Sequence, residues 1–352
     1  MKHAILITGG AGFIGVNSAR RFLNNGWEVT ILDDFSRPRT DTNIAMLGKD
    51  HPAAFRVVRA DVTSDFEILS TEVDRHDTVL HLAAQVAVTT SIIEPRRDFE
   101  VNALGTLNVL EAIRLSRSRP FLMFTSTNKV YGALAHLPVR ELETRYAFAD
   151  ERLNERGVSE EETLDFHSPY GCSKGCADQY VTDYGRIYGL NTVVFRQSCI
   201  YGRYQFGVED QGWVAWFAIA AVSGKDITVY GDGKQVRDIL YVEDLTRLYA
   251  AALDKPDLVS GKAYNLGGGP ANTLSLLELL SIFDAEYGLK PTITYAAPRA
   301  GDQQIFIADV ARIGNDIGWR PETSSRQGIE KMMAWIRDNS GLINAETLQA
   351  VA

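Results

Sequence analysis

Ala4-Ile5-Leu6-Ile7-Thr8-Gly9-Gly10-Ala11-Gly12-Phe13-Ile14-Gly15 carries the reading of the fold. An apolar run suited to a buried parallel strand stops at Thr8 and a glycine cluster, and Phe13 to Asn25 reads as a helix closed near Gly26. Strand, glycine turn and helix in that order let backbone N–H groups approach a pyrophosphate at the positive end of the helix. The spacing Gly9, Gly12, Gly15 is a weak signal alone, since glycines also make plain tight turns. The next predicted strand, Val29-Thr30-Ile31-Leu32-Asp33, strengthens it by ending in an acid. Asp33 can accept hydrogen bonds from adenosine ribose hydroxyls and would repel a 2′-phosphate. That favours NAD over NADP, and Arg37 and Arg39 nearby soften the preference.

Outward from this unit, Phe55–Val58, Thr78–Leu82 and Phe121–Phe124 continue the strand series, with a helical stretch through Leu107, Leu110 and Ile113 before the last. Alternating strands and helices imply right-handed crossovers, hence an α/β fold: a doubly wound parallel Rossmann sheet. Residues 133–168 break the rhythm; Glu141 to Glu162 is charge-rich and is expected to be an inserted surface segment or lid rather than core. A helix, Tyr170 to Tyr188, and a strand, Thr192 to Phe195, resume the pattern. After about Arg196 the elements shorten and mix. The expected organisation is a dinucleotide-binding domain over 1–195 with a returning segment at about 237–265, and a smaller mixed α/β substrate lobe over 196–236 and 266–340.

The chain's 352 residues suffice for such a two-lobed core. Its formal charge of −9 argues against a nucleic-acid or anionic-membrane surface, though local arginines can still bind a phosphate. The longest apolar stretch, Trp213 to Val222, is about half of what a bilayer span needs. The start does not read as a signal peptide, and the three cysteines form no CxxC pair, so a reducing cytoplasm is the expected setting. Cys172 and Cys176 share a helix face but lack a third ligand, and no metal is expected.

Tyr170 and Lys174 stand four apart on the predicted helix and share a face, behind Ser168-Pro169 as cap and first turn. A tyrosine titrates near pKa ~10, so it makes a poor base at neutral pH unless its phenolate is stabilised. The Lys174 ammonium and a cationic nicotinamide are expected to do that, and Thr127 at a strand end can share the substrate oxygen's proton. A lone YxxxK is common by chance; its company makes it informative here.

The glycine loop, Asp33, His81-Leu82-Ala83-Ala84, Thr125-Ser126-Thr127-x-x-Val130-Tyr131-Gly132, Tyr170-x-x-x-Lys174 and Val236-Arg237-Asp238 together resemble the extended short-chain dehydrogenase/reductases that act on nucleotide sugars. Within that group, Ser126 to Gly132, Ser168 to Gly175, Asp210-Gln211-Gly212-Trp213, Gly157 to Glu160 and Leu164 to His167 are most similar to the CDP-paratose (CDP-tyvelose) 2-epimerases. The resemblance implies Thr127, Tyr170 and Lys174 as the catalytic trio. It implies Gly9, Gly12, Phe13, Ile14, Gly15, Asp33, Asp61, Val62, Leu82, Ala83, Gln85 and Asn102 as the NAD site, with Tyr170 and Lys174 reaching the nicotinamide end. Arg237 and Arg299 would hold the nucleotide diphosphate, and Lys129, Cys199, Gln205 and Tyr230 would contact sugar or base. A homodimer through helices near 95–117 and 169–189 follows family habit.

Two departures narrow the reaction. The family's 4,6-dehydratases carry an Asp-Glu pair after the catalytic threonine, whereas this chain has Asn128-Lys129, which disfavours dehydration. The family's substrate asparagine is replaced by Cys199. The expected activity is NAD-dependent epimerisation of a nucleotide-linked hexose, most like C2 of a CDP-activated deoxyhexose. The alternatives are a 4-epimerase on UDP- or dTDP-hexose, a 4,6-dehydratase and a catalytically dead NAD-sensing protein. Gly171 to Gly175 also fits a hydrolase nucleophile elbow, but no strand leads into it and no histidine follows it.

Overall fold

The computed structural model describes residues 3–299 and 301–343. Its centre is a seven-stranded sheet in the order Lys262–Leu266, Thr192–Gln197, Phe121–Thr127, Thr78–His81, Ala4–Thr8, Glu28–Asp33, Phe55–Arg59. Every neighbouring pair is parallel. Parallel strands must be joined by crossovers, and the helices that make them cover both faces. The apolar runs are therefore buried on both sides: Ile5, Leu6, Ile7, Leu80, Leu122, Met123 and Phe124 have no solvent exposure. Strand order reverses between Ala4–Thr8 and Thr78–His81, which opens a crevice at the carboxyl ends of those two strands.

The helix Phe13–Asn24 leaves the first strand through the glycine turn. Its packing explains two of the glycines. A Cβ on Gly15 would lie 2.5 Å from the Cα of Gly10, and one on Gly9, whose φ is +67°, would lie 2.6 Å from the amide nitrogen of Ala83. Helix and strand can meet this closely only without side chains at those points. On the other half of the sheet, the long helix Ser168–Tyr188 is tied to its following strand by Asp178 and Arg196. That ion pair is bidentate, 2.9 Å at each contact, and Arg196 also donates to the Tyr131 hydroxyl at 3.0 Å.

A second lobe is built from a four-stranded sheet centred on Val236–Tyr241. That strand runs antiparallel to Thr273–Ser275 and parallel to both Ile305–Phe306 and Cys199–Tyr201. A parallel pair, Ile227–Tyr230 with Ile293–Ala296, and the helices Trp213–Val222, Leu276–Tyr287 and Ser325–Asp338 complete its core. The chain then returns through the helix Val242–Asp254 to the edge strand Lys262–Leu266. Residues 236–241 thus pair in the small sheet, and the return to the large one starts at Val242.

The 133–168 segment corrects the expectation of a surface insert. It forms a hairpin, Val139–Glu141 with Tyr146–Phe148, then a helix Glu151–Arg156, and it carries its own small core. Phe148 and Val158 pack with Val130, Tyr131, Val236 and Ile305–Ala308, and Val158 bridges to Ala308. Most of its charges face solvent while a few apolar residues, Leu134, Phe148 and Val158 among them, turn into the core, so composition alone hid the anchoring. No described helix is long and apolar enough to cross a membrane. Phe148 is wholly buried. Truncating Phe148→Ala is expected to cost about 3–5 kcal/mol, read as a drop in the denaturant midpoint at unchanged slope.

Candidate active site

At the switch point of the sheet lies a cavity of about 560 Å³, walled by Gly9, Gly12, Phe13, Ile14 and Gly15 at one side. Asp33, Asp61, Val62, Leu82, Ala83 and Gln85 continue the wall, and Thr125, Ser126, Tyr170 and Lys174 close the far end. Eleven of the twelve residues expected to line a dinucleotide site are therefore together. The exception is Asn102. It is fully buried behind the wall, where its Oδ1 accepts the Gln85 backbone N–H at 3.0 Å. A helical asparagine near the crevice looks alike in sequence whether it faces the cavity or braces a neighbour.

Asp33 ends its strand with both carboxylate oxygens engaged, accepting from Ala11 N–H at 3.0 Å and Phe35 N–H at 2.9 Å. It thereby clamps the glycine turn, and each oxygen keeps a lone pair facing the cavity for a ribose hydroxyl. Burial raises its carboxyl above the usual range, and the two backbone hydrogen bonds oppose that. The first turn of the helix Phe13–Asn24 contains no acidic side chain, and its N-cap Gly12 makes no side-chain capping bond, so its N–H groups are free to meet an anion. Asp61 accepts from Thr63 and pairs with Arg97 at 3.7 Å. These features fit a dinucleotide: a backbone cradle that a Cβ would fill, a ribose-facing carboxylate and an uncapped helix start.

At the far end, Tyr170 and Lys174 are both buried. Lys174 Nζ donates to the Thr125 carbonyl at 2.6 Å and sits 4.3 Å from the Phe124 ring centroid. Burial pulls the ammonium down to about 7, against the raising influence of Asp178 and Asp98. Tyr170 departs from the sequence expectation. Burial pushes its phenol up to about 12; a hydrogen bond with Thr127 lowers it, Asp98 raises it and Arg37 lowers it. Among the protein's own groups, loss of water around the phenolate outweighs the stabilisation expected from the neighbouring lysine. Thr127 caps the short turn Asn128–Tyr131, accepting from the Lys129 backbone at 3.2 Å.

The residues expected to meet a nucleotide sugar fall into two groups, all from the second lobe except Lys129, which lies in the turn after the large-sheet strand Phe121–Thr127. Lys129, Arg237 and Cys199 cluster with Asp302 and Gln303. Arg237 Nη2 meets Asp302 at 2.6 Å, Lys129 Nζ lies 3.6 Å from the same carboxylate, and it donates to Gln303 Oε1 at 3.4 Å. Burial first, then the Arg237 charge, lowers the Lys129 amine to about 8. Burial pushes the Cys199 thiol up to about 12, so it is no nucleophile. Arg299 stands apart from this cluster, stacked 4.0 Å over the Tyr230 ring and paired with Asp210 at 3.0 Å. Gln205 lies in the loop before the helix Trp213–Val222, donating to the Ile200 carbonyl at 3.4 Å. None of these six side chains lines the main cavity.

Sequence reasoning missed several members of the site. Asp302 and Gln303 carry no motif, and only folding brings them to Lys129. Gln197, Val208 and Gln211 reach the cavity wall from the far half of the chain, and Arg37 hydrogen-bonds Gln211 across it. Ser126 was legible as part of the strand end. Its buried hydroxyl has no protein partner and lines the cavity, consistent with a ligand group there.

Comparison with known proteins agrees with this geometry. Residues 5–267 match the NAD dependent epimerase/dehydratase family. The chain is 44% identical to the CDP-paratose 2-epimerase of Salmonella typhi over 338 residues, covering 94% of this chain and 98% of that one. Among solved structures it resembles the UDP-glucose 4-epimerase of Thermus thermophilus in complex with NAD at a TM-score of 0.77 and 31% identity, over 95% and 99% of the two chains. It also resembles DesIV, a dTDP-glucose 4,6-dehydratase from Streptomyces venezuelae with NAD and TYD bound, at 0.81 and 27% identity, over 96% and 98%. With a glycine-cradled cavity ending at Tyr170 and Lys174, and with these relatives matching nearly end to end, the chain belongs to the NAD dependent epimerase/dehydratase family.

Proposed function

We propose that this NAD-dependent nucleotide-sugar epimerase inverts C2 of a CDP-linked deoxyhexose, with Thr127, Tyr170 and Lys174 as its catalytic residues. The observation that carries the reading is the 44% identity, over almost the whole of both chains, to a CDP-paratose 2-epimerase. Asn128 supports it from the other side. Its amide donates to Gln303 at 3.0 Å and has no proton to exchange at neutral pH, so the acid–base pair that dehydration needs is absent.

NAD, when bound in the glycine cradle, supplies the hydride acceptor and donor for the sugar carbon. The chain's own residues handle the proton. Tyr170 Oη, as the phenolate that the cationic nicotinamide of bound NAD would favour, takes it from the sugar hydroxyl and returns it after the flat keto-sugar has turned its other face. Thr127 Oγ1, which lowers the phenol's pKa, would hold the same oxygen. Lys174, one helical turn from Tyr170, is aimed by the Thr125 carbonyl. Arg237 and Lys129 share one carboxylate, Asp302, and Arg299 stacks on Tyr230; Arg237 and Arg299 would hold the diphosphate and Lys129 would contact the sugar. No net oxidation occurs in the cycle, so the cofactor stays with the protein between turnovers.

The exposed apolar residues Ile93, Phe99, Leu115, Tyr180 and Ile187 lie on the helices Val88–Ile93, Pro95–Phe99, Gly105–Leu115 and Ser168–Tyr188. Such a patch supports a homodimer through these helices. Ile187 is 66% exposed in the single chain. Ile187→Asp is expected to shift the protein to monomer in sedimentation velocity without lowering its single-chain unfolding midpoint.

The reaction is tested by incubating the protein with CDP-, UDP- and dTDP-hexoses and locating the inverted carbon by NMR. Inversion at C2 of the CDP sugar is expected; inversion at C4 of a UDP-hexose instead would overturn the substrate and carbon together. Tyr170→Phe should lose on the order of 10²-fold or more in turnover while still binding NAD. Near-normal turnover in that variant refutes Tyr170 as the base.

A further inference from the structure

Asp98 is a carboxylate in an unusual place. It lies on the short helix Pro95–Phe99, has no solvent exposure, and takes no part in the motifs that mark the site. Among the described residues no lysine, arginine or histidine nitrogen approaches it within ion-pair distance. Its oxygens are held by neutral donors: Asn102 Nδ2 at 3.2 Å on one side and the Ser173 hydroxyl on the other. Both donors lead into the site. Ser173 is the residue before Lys174 and also donates to the Tyr170 carbonyl at 3.2 Å, while Asn102 accepts from Gln85 in the cavity wall at 3.0 Å. A buried charge with no cation in contact is costly, and such groups persist where their field does something.

We propose that Asp98 is a positioning residue of the proton-transfer site, the buried anion that keeps the Lys174 ammonium charged while Ser173 and Asn102 hold it in register with Tyr170 and Gln85. The inference rests on the assignment of Tyr170 and Lys174 to proton transfer.

Two carboxylates raise Lys174, Asp178 more than Asp98. Asp178, on the same helix as Lys174, has both oxygens taken by Arg196 from the adjacent strand, whereas Asp98 has no cation in contact. His81, from the strand Thr78–His81, is pushed down to about 3 by burial and stays neutral between Thr8 and Thr106. The strand Phe121–Thr127 offers Lys174 only the Thr125 carbonyl and the Phe124 ring. Arg37, from the loop after Asp33, acts on Tyr170 in the sense opposite to Asp98. Asp98 raises both Lys174 and Tyr170, so removing its charge must lower both.

The test uses protein labelled with carbon-13 at lysine Cε, with the Lys174 signal assigned by its loss in Lys174→Arg. In Asp98→Asn, which preserves shape and one of the two acceptor oxygens, the Lys174 titration midpoint should fall by about half a pH unit or more. Both limbs of the kcat/KM pH profile should move to lower pH, and Asp98→Glu should restore them. An unchanged midpoint and profile, with only a lower unfolding temperature, would make Asp98 a packing group and overturn the proposal. Should Asp98→Asn not fold, Ser173→Ala serves instead. It frees one carboxylate oxygen and favours protonation of Asp98, so it should shift the Lys174 midpoint down by a smaller amount; no shift there overturns the proposal equally. Tyr170→Phe measured alongside separates the two ideas, because normal turnover in it refutes the base assignment while the lysine titration still judges Asp98.

Discussion

An ammonium held out of water sets the terms for everything around it. Lys174 has lost nearly all its solvent, and a buried cation persists only where carbonyls, ring faces or carboxylates replace the water it gave up. The replacements come from separate elements: the Thr125 carbonyl and Phe124 ring from one strand, Asp178 from its own helix, Asp98 from the helix that crosses it. The long helix Ser168–Tyr188 can dock in only one register if all of these are to be met. That register also sets Tyr170 at the far end of the crevice.

The opposite wall obeys a steric rule rather than an electrostatic one. Gly9 sits where its backbone nearly touches that of Ala83, and Gly15 where the helix meets Gly10. Asp33 then spans the turn with two backbone hydrogen bonds. The cavity is thus a seam between two halves of one sheet, one half shaped by missing side chains and the other by a desolvated charge. Hydride chemistry suits such a seam, because a dinucleotide laid along it brings its two ends to the two kinds of wall.

The second lobe, with Lys129 from the turn after a large-sheet strand, contributes cations that share few anions. Arg237 and Lys129 divide Asp302 between them, and Arg299 divides its contacts between Asp210 and the Tyr230 ring. An arginine already matched to one carboxylate retains donors for a diphosphate oxygen. The 133–168 segment stabilises this arrangement from outside, since its apolar side chains pack against the strands that carry Val236 and Ile305.

The linear order of residues was enough to establish the doubly wound sheet, because a parallel strand buried on both faces must be continuously apolar and its crossover helix must be amphipathic. Gly9, Gly12, Gly15 and Asp33 were legible for a related reason: backbone approach demands glycine, and a ribose demands an acid at the next strand end; resemblance to the family supplied most of the other cavity-lining residues. Lys129 and Arg237 were also visible as charged residues beside motifs. Only tertiary structure brought Asp302 and Gln303 to them, turned Asn102 behind the wall, and seated Phe148 in a core within a charged segment. The same holds for the phenol of Tyr170, whose acidity depends on how much water folding removes. Local chemistry is written in neighbouring residues; solvation and long-range pairing exist only once the chain has closed on itself.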